Sequence, residues 1–168
     1  MTHVLIVGNQ SLLADELHEA VRRRMDQGPC TLEIVVPATP LTDQQAALAH
    51  SEQLRNANGE TGSVALARWR LKAALHLFAE RGIEITGDIG HASPVRAARE
   101  AAERRQIDEV IVSTLSRGAS RWLSRGVPKR IHRALGVPVT HVETAKVIGV
   151  TRSRVGHDTP SDATTPIR

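Results

Sequence analysis

The sequence predicts a three-layer α/β sandwich with a five-stranded parallel sheet, and three observations predict it. Short runs rich in Val, Ile and Leu alternate with stretches whose apolar residues recur at helical spacing. The runs are apolar on consecutive residues, the pattern of strands covered on both faces. They succeed one another in the order β-α-β-α-β-α-β-α-β, so the strands run parallel with right-handed helical crossovers.

The first strand is "HVLIVG" (3–8). Ser11 is the expected N-cap of the next helix, with Asp15 and Glu16 in its first turns favouring the dipole. Leu13, Leu17, Ala20 and Val21 are its apolar stripe, and "QGP" (27–29) stops it. "TLEIVVP" (31–37) is the second strand. A helix over 43–54 and a loop in "NANGETG" (56–62) are expected after it. Val64, Ala67, Leu71, Ala74, Leu75 and Phe78 form the stripe of a further helix, with Gly82 at its C′ position. "IEITG" (83–87) reads as the third strand. Ser93-Pro94 opens a helix as N-cap and first residue, with Val95, Ala98 and Ala102 facing inward. "DEVIVST" (108–114) is the fourth strand, Pro128 begins a short helix that Gly136 ends, and "PVTHV" (138–142) is the fifth strand. One domain over 1–144 results. "AKVIGV" (145–150) is a candidate edge strand, and the polar Thr, Ser and Pro-rich tail to 168 has the composition of disorder.

A chain of 168 residues has room for one such domain with a real core. Its aromatic residues are Phe78, Trp69 and Trp122, so the core must be aliphatic. Their scarcity also argues against base stacking, the usual grip on single-stranded nucleic acid. The formal charge of +4 rests on arginine more than lysine, and the planar guanidinium suits oxyanions. A solubilising surface accounts for so small an excess equally well. The single cysteine, Cys30, excludes an internal disulfide and suits a reducing compartment. No signal sequence and no bilayer-spanning segment is read from the sequence, so a cytoplasmic location without a membrane partner is expected.

In open parallel sheets ligands bind beyond the carboxyl ends of the strands, where strand order reverses. With the first strand central and the fourth beside it, that point falls at Asn9 and at "STLSRGASRWLSRGVPKR" (113–130). Hydroxyls at Ser113, Thr114 and Ser116, glycines at 118 and 126, and a helix N-terminus near Pro128 favour an anion there. Arg117, Arg121 and Arg125 share a helical face that suits a phosphate, a nucleic acid or plain solvent. Trp122 among them reads as an amphipathic anchor against the domain or at a subunit contact.

Together, "HVLIVGNQS", "GDIGHASPVRAAREAAERRQIDEVIVST" and "VPKRIHRALGVPVTHV" resemble the universal stress protein family over roughly residues 2–142. The resemblance implies an adenine-nucleotide alpha-hydrolase-like, Rossmann-like fold. It also implies a homodimer formed through the last strand and a stress-related or regulatory role. ATP-binding members carry G-x2-G-x9-G-[ST] after the fourth strand and an Asp near the adenine after the first. Here Asn9 replaces the Asp. Ser113 and Ser116 fall on the first two glycines, Gly126 on the third and Val127 on the hydroxyl position. The other register puts Arg125-Gly126 on the final pair and Leu115 on the second glycine.

Each lost glycine adds a side chain where backbone meets phosphate, and Val127 removes a donor. A lost hydrogen bond to a charged group costs about 1.5–3 kcal/mol, so two or three losses weaken binding by orders of magnitude. The expectation is a non-enzymatic protein with weak or absent ATP binding. ATP is the candidate cofactor, and Asn9, Ser113, Ser116, Arg125, Gly126 and Val127 are the candidate residues for a nucleotide or other anion. A competent nucleotide binder is the first alternative, and a basic nucleic-acid-binding module the second. No P-loop, dinucleotide fingerprint or nucleophile elbow occurs, and no Cys/His spacing suits a metal. No catalytic residue is assigned, and His91 is expected as an exposed loop histidine.

Overall fold

The computed structural model describes residues 1–40, 62–116, 122 and 125–145. Its elements are β1 (Thr2–Val7), α1 (Asp15–Asp26), β2 (Cys30–Pro37), α2 (Ser63–Glu80), β3 (Thr86–Gly90), α3 (Pro94–Arg104), β4 (Glu109–Leu115), α4 (Val127–Leu135) and β5 (Val139–Thr144). They build a five-stranded sheet of order β3-β2-β1-β4-β5 with every pair parallel. Val4 to Val7 pair with β2 on one side and with β4 on the other, so β1 is central. Strand order reverses between β1 and β4, as expected.

Successive strand residues point to opposite faces, and each face has its own core. Val4 and Ile6 of β1, with Leu32, Ile34 and Val36 of β2, meet Leu17 and Val21 of α1 and Ala67, Leu71, Ala74 and Phe78 of α2. Leu5, Val7, Val35, Val110 and Val112 meet Ala97, Ala98 and Ala101 of α3 and Val127 and Ile131 of α4. Burying each Leu, Ile or Val here contributes about 1.5–3 kcal/mol, which is why the strands need no alternating polar face.

Four elements depart from the sequence expectation. The N-cap of α1 is Ala14, not Ser11, and no side chain caps it. Residues 9–13 form a turn first, in which the Ser11 carbonyl accepts the Ala14 N–H at 3.2 Å. The third strand is not 83–87 but Thr86–Gly90. Ile83 instead completes a Schellman cap on α2: its N–H donates to Phe78 O at 3.0 Å, and that of Gly82 to Ala79 O at 3.0 Å. Gly82, with φ +70°, supplies the left-handed residue the motif requires. Finally, Val64 is exposed on α2, where Ala65 is buried instead, and α3 buries Ala97, Ala98 and Ala101, with Val95 and Ala102 at the margin.

The amino-end edge of the sheet is closed by polar pairs. Arg24 at the end of α1 grips Glu109 with two bonds of 2.6 and 3.1 Å. Asp108 accepts the His3 N–H at 2.8 Å, and that bond holds its carboxyl below the usual range. The helix expected over 43–54, the loop at 56–62 apart from Gly62, and the sequence after Ala145, with the edge strand and tail, lie outside the described residues.

Candidate functional site

The carboxyl-end edge is built around the turn that leaves β1. Gly8 leaves room for it: a Cβ there would meet Leu12 Cδ2 at 2.6 Å, so a larger residue would require the Leu12 side chain to shift. Ser113 of β4 lies beneath this turn, fully buried, and donates its hydroxyl to the Ser11 carbonyl at a long 3.5 Å. Its hydroxyl thus faces the protein's own backbone.

Asn9 is the joint of the edge. Its Nδ2 donates to Pro37 O at 3.2 Å and to Thr39 Oγ1 at 2.7 Å, while its Oδ1 accepts from Arg70 Nη1. One side chain therefore ties the tips of β1 and β2 to α2. An Asp at this position has no N–H to give to Pro37 O, so the amide is what makes the three-way joint. Arg70, midway along α2, was not singled out by the sequence reading. It flanks the Ala67–Leu71–Ala74 stripe, where an arginine ordinarily runs its stem over apolar surface and keeps its head in water. Here the head is drawn inward, and burial pushes its pKa down to about 10. It still carries its charge at neutral pH. The neighbouring Trp69 turns outward and is 49% exposed.

Across the switch point, Ser116 is half-buried and its N–H donates to Thr144 O at 2.9 Å. Thr114 is buried; its Oγ1 shares a hydrogen bond with His141 Nε2 at 2.7 Å, and its carbonyl accepts from Thr144 Oγ1 at 3.1 Å. These bonds spend the Thr114 and Thr144 hydroxyls on joining β4 to β5. Gly126 is the N-cap of α4 in the left-handed conformation, φ +61° and ψ +34°, which accounts for glycine there without any ligand. Val127 sends its side chain into the core between α3, α4 and the sheet and is 2% exposed. Arg125 is exposed. Trp122 packs against the same core as Val127, consistent with an anchor. Residues 117–121, with Arg117 and Arg121, lie outside the described residues. The exposed His91 accepts the Ser93 N–H on Nδ1 at 3.0 Å, at the start of α3.

The structure thus brings Asn9, Ser113 and Ser116 to one end of the sheet at the switch point, with the start of α4 following β4. Most of their polar atoms are occupied by the protein itself. Among the described residues no three His, Cys, Asp or Glu side chains gather as a metal site, and no helix is long and apolar enough to cross a membrane.

A parallel sheet of order 3-2-1-4-5 with helices on both faces and its switch point between β1 and β4 defines a Rossmann-like α/β protein. More particularly, the fold is that of the universal stress proteins. A universal stress protein solved in complex with cAMP is similar at a TM-score of 0.52 and 21% identity, over 84% of this chain and 97% of that one. A universal stress protein family protein from Arabidopsis thaliana with AMP bound is similar at 0.58 and 13%, over 86% and 92%. The universal stress protein from Archaeoglobus fulgidus is similar at 0.52 and 12%, over 84% and 98%. No family model matches the chain, and no curated protein matches it.

Proposed function

We propose that this chain is a non-enzymatic protein of universal stress type, with a stress-related or regulatory role and weak or absent ATP binding. The observation that carries the reading is the Asn9 joint. Both Nδ2 hydrogens and the carbonyl oxygen of the Asn9 side chain at the tip of β1 are already bonded within the protein. A base entering there must break bonds that it can only partly replace. The burial of Val127, where the resemblance places a phosphate-binding hydroxyl, supports the same reading from the other side of the switch point. The edge position of β5 in the sheet supports a homodimer formed through that strand.

The second reading, a competent nucleotide binder, is favoured by the cAMP and AMP found with two similar structures. Calorimetric titration of the full chain with ATP–Mg, AMP and cAMP separates the two. Dissociation constants in the millimolar range, or no measurable heat, are expected. Micromolar binding with preference for adenine would overturn the first reading in favour of the second.

A further inference from the structure

Arg70 poses a problem of charge balance. A guanidinium drawn out of water is stable only against a counter-charge or a full set of acceptors. Arg70 carries five N–H donors in a rigid fork. Among the described residues its hydrogen-bond acceptor is the neutral Asn9 amide, through a single nitrogen, and no carboxylate there forms an ion pair with it. The amide itself is fixed by Pro37 and Thr39, so it cannot turn to offer more. The position is the carboxyl-end edge of a parallel sheet, beside the switch point where such folds take ligands. A fixed, largely buried cation with donors unused among the described residues is, at that edge, half of an ion pair.

We propose that Arg70 is the receptor for a small oxyanion, the phosphate or carboxylate group of a ligand, at the tips of β1 and β2. Asn9 holds one side of the guanidinium and leaves the rest of the fork to grip two oxygens at once, the geometry in which arginine binds such groups best. This assigns a ligand chemistry to the switch point and does not depend on the nucleotide reading above, since it needs no base and no ribose.

The test uses the full chain with inorganic phosphate, acetate or chloride at matched ionic strength, followed by calorimetry and thermal melting. Saturable binding of phosphate or of acetate is expected, with a melting temperature above that in chloride. Phosphate alone active would assign a phosphate-bearing ligand, and acetate alone a carboxylate; either supports the proposal. Arg70→Met should weaken that binding tenfold or more, and Arg70→Lys by less, while Arg99→Gln on the exposed face of α3 should leave it unchanged. In chloride Arg70→Met should melt at or above the wild type, because it removes a charge that has no counter-ion among the described residues. Three results would overturn the proposal. These are no saturable binding of either anion, binding that survives Arg70→Met, and an Arg70→Met protein that melts lower by the same interval in every salt.

Discussion

Gly90→Ala is expected to destabilise the fold by about 1–3 kcal/mol, the range for forcing atoms into a packed core. A Cβ at Gly90 would lie 2.6 Å from Ala97 Cβ and 2.7 Å from Val35 Cγ2. Neither neighbour can swing away, for Ala97 has no side-chain torsion and Val35 is wholly buried in the central part of the sheet. The collision therefore has to be relieved by moving α3 away from β3. Gly87 is the informative contrast. Its shortest contact would be Leu71 Cδ1 at 2.6 Å, the far end of a flexible side chain, so Gly87→Ala should cost less. Urea unfolding of the two variants measures the difference. Ala97→Gly placed on Gly90→Ala should recover part of the loss, because it removes the nearer of the two atoms. A pair of losses that simply add would mean that this contact is not the cause.

Acidification from pH 6.5 to 4 is expected to cost the wild type about 3 kcal/mol that a His18→Leu variant keeps. His18 sits on the inner face of α1, 1% exposed, stacked on Phe78 with ring centroids 4.0 Å apart. Among the described residues neither ring nitrogen reaches a hydrogen-bond partner. Burial, with the Arg81 charge assisting, pushes its pKa down to about 4 from 6.5. The Asp15 carboxylate pulls the other way and Arg22 adds to the depression. Below pH 6.5 the unfolded chain therefore takes up a proton that the native state refuses. Stability is full above that pH, falls as pH drops towards 4, and levels off below it. Urea midpoints across this interval, read as the difference between wild type and variant, isolate His18 from the carboxylates that titrate nearby. At neutral pH His18→Leu should be no less stable than wild type, since it removes two unbonded buried nitrogens at the expense of one ring stack. A pH dependence that persists undiminished in the variant would mean the buried imidazole is not its source.

The architecture was legible because β1, β2 and β4 carry consecutive apolar residues, a signal that burial on both faces enforces. β3 was legible only approximately. Its apolar lead-in, Ile83, belongs to the cap of α2, and the strand itself passes through Gly87 and Gly90, residues that strands ordinarily avoid. Glycine stands there because helices press on both positions, which is a tertiary fact. Ser11 was misplaced for a related reason: a serine before a helix is the ordinary sign of a cap, but the turn over Gly8 delays the helix by several residues. For the site, the sequence identified the right edge of the sheet and the atypical residues Asn9 and Val127. It did not single out Arg70, because nothing in a string of helical residues tells an arginine whose head is in solvent from one whose head is folded inward. Nor did it foresee that the Ser113 and Thr114 hydroxyls would be bonded within the sheet edge.

The placement of the two indoles makes the protein its own optical instrument. Trp122 is wedged against the layer formed by α3 and α4, whereas Trp69 stands in solvent on α2, one residue before Arg70. With no tyrosine in the chain, ultraviolet emission comes from these two rings, and iodide should quench the second far more readily than the first. A solute acting through Arg70 should therefore alter the quenchable fraction of the light, whereas loosening of the opposite layer should red-shift the protected one.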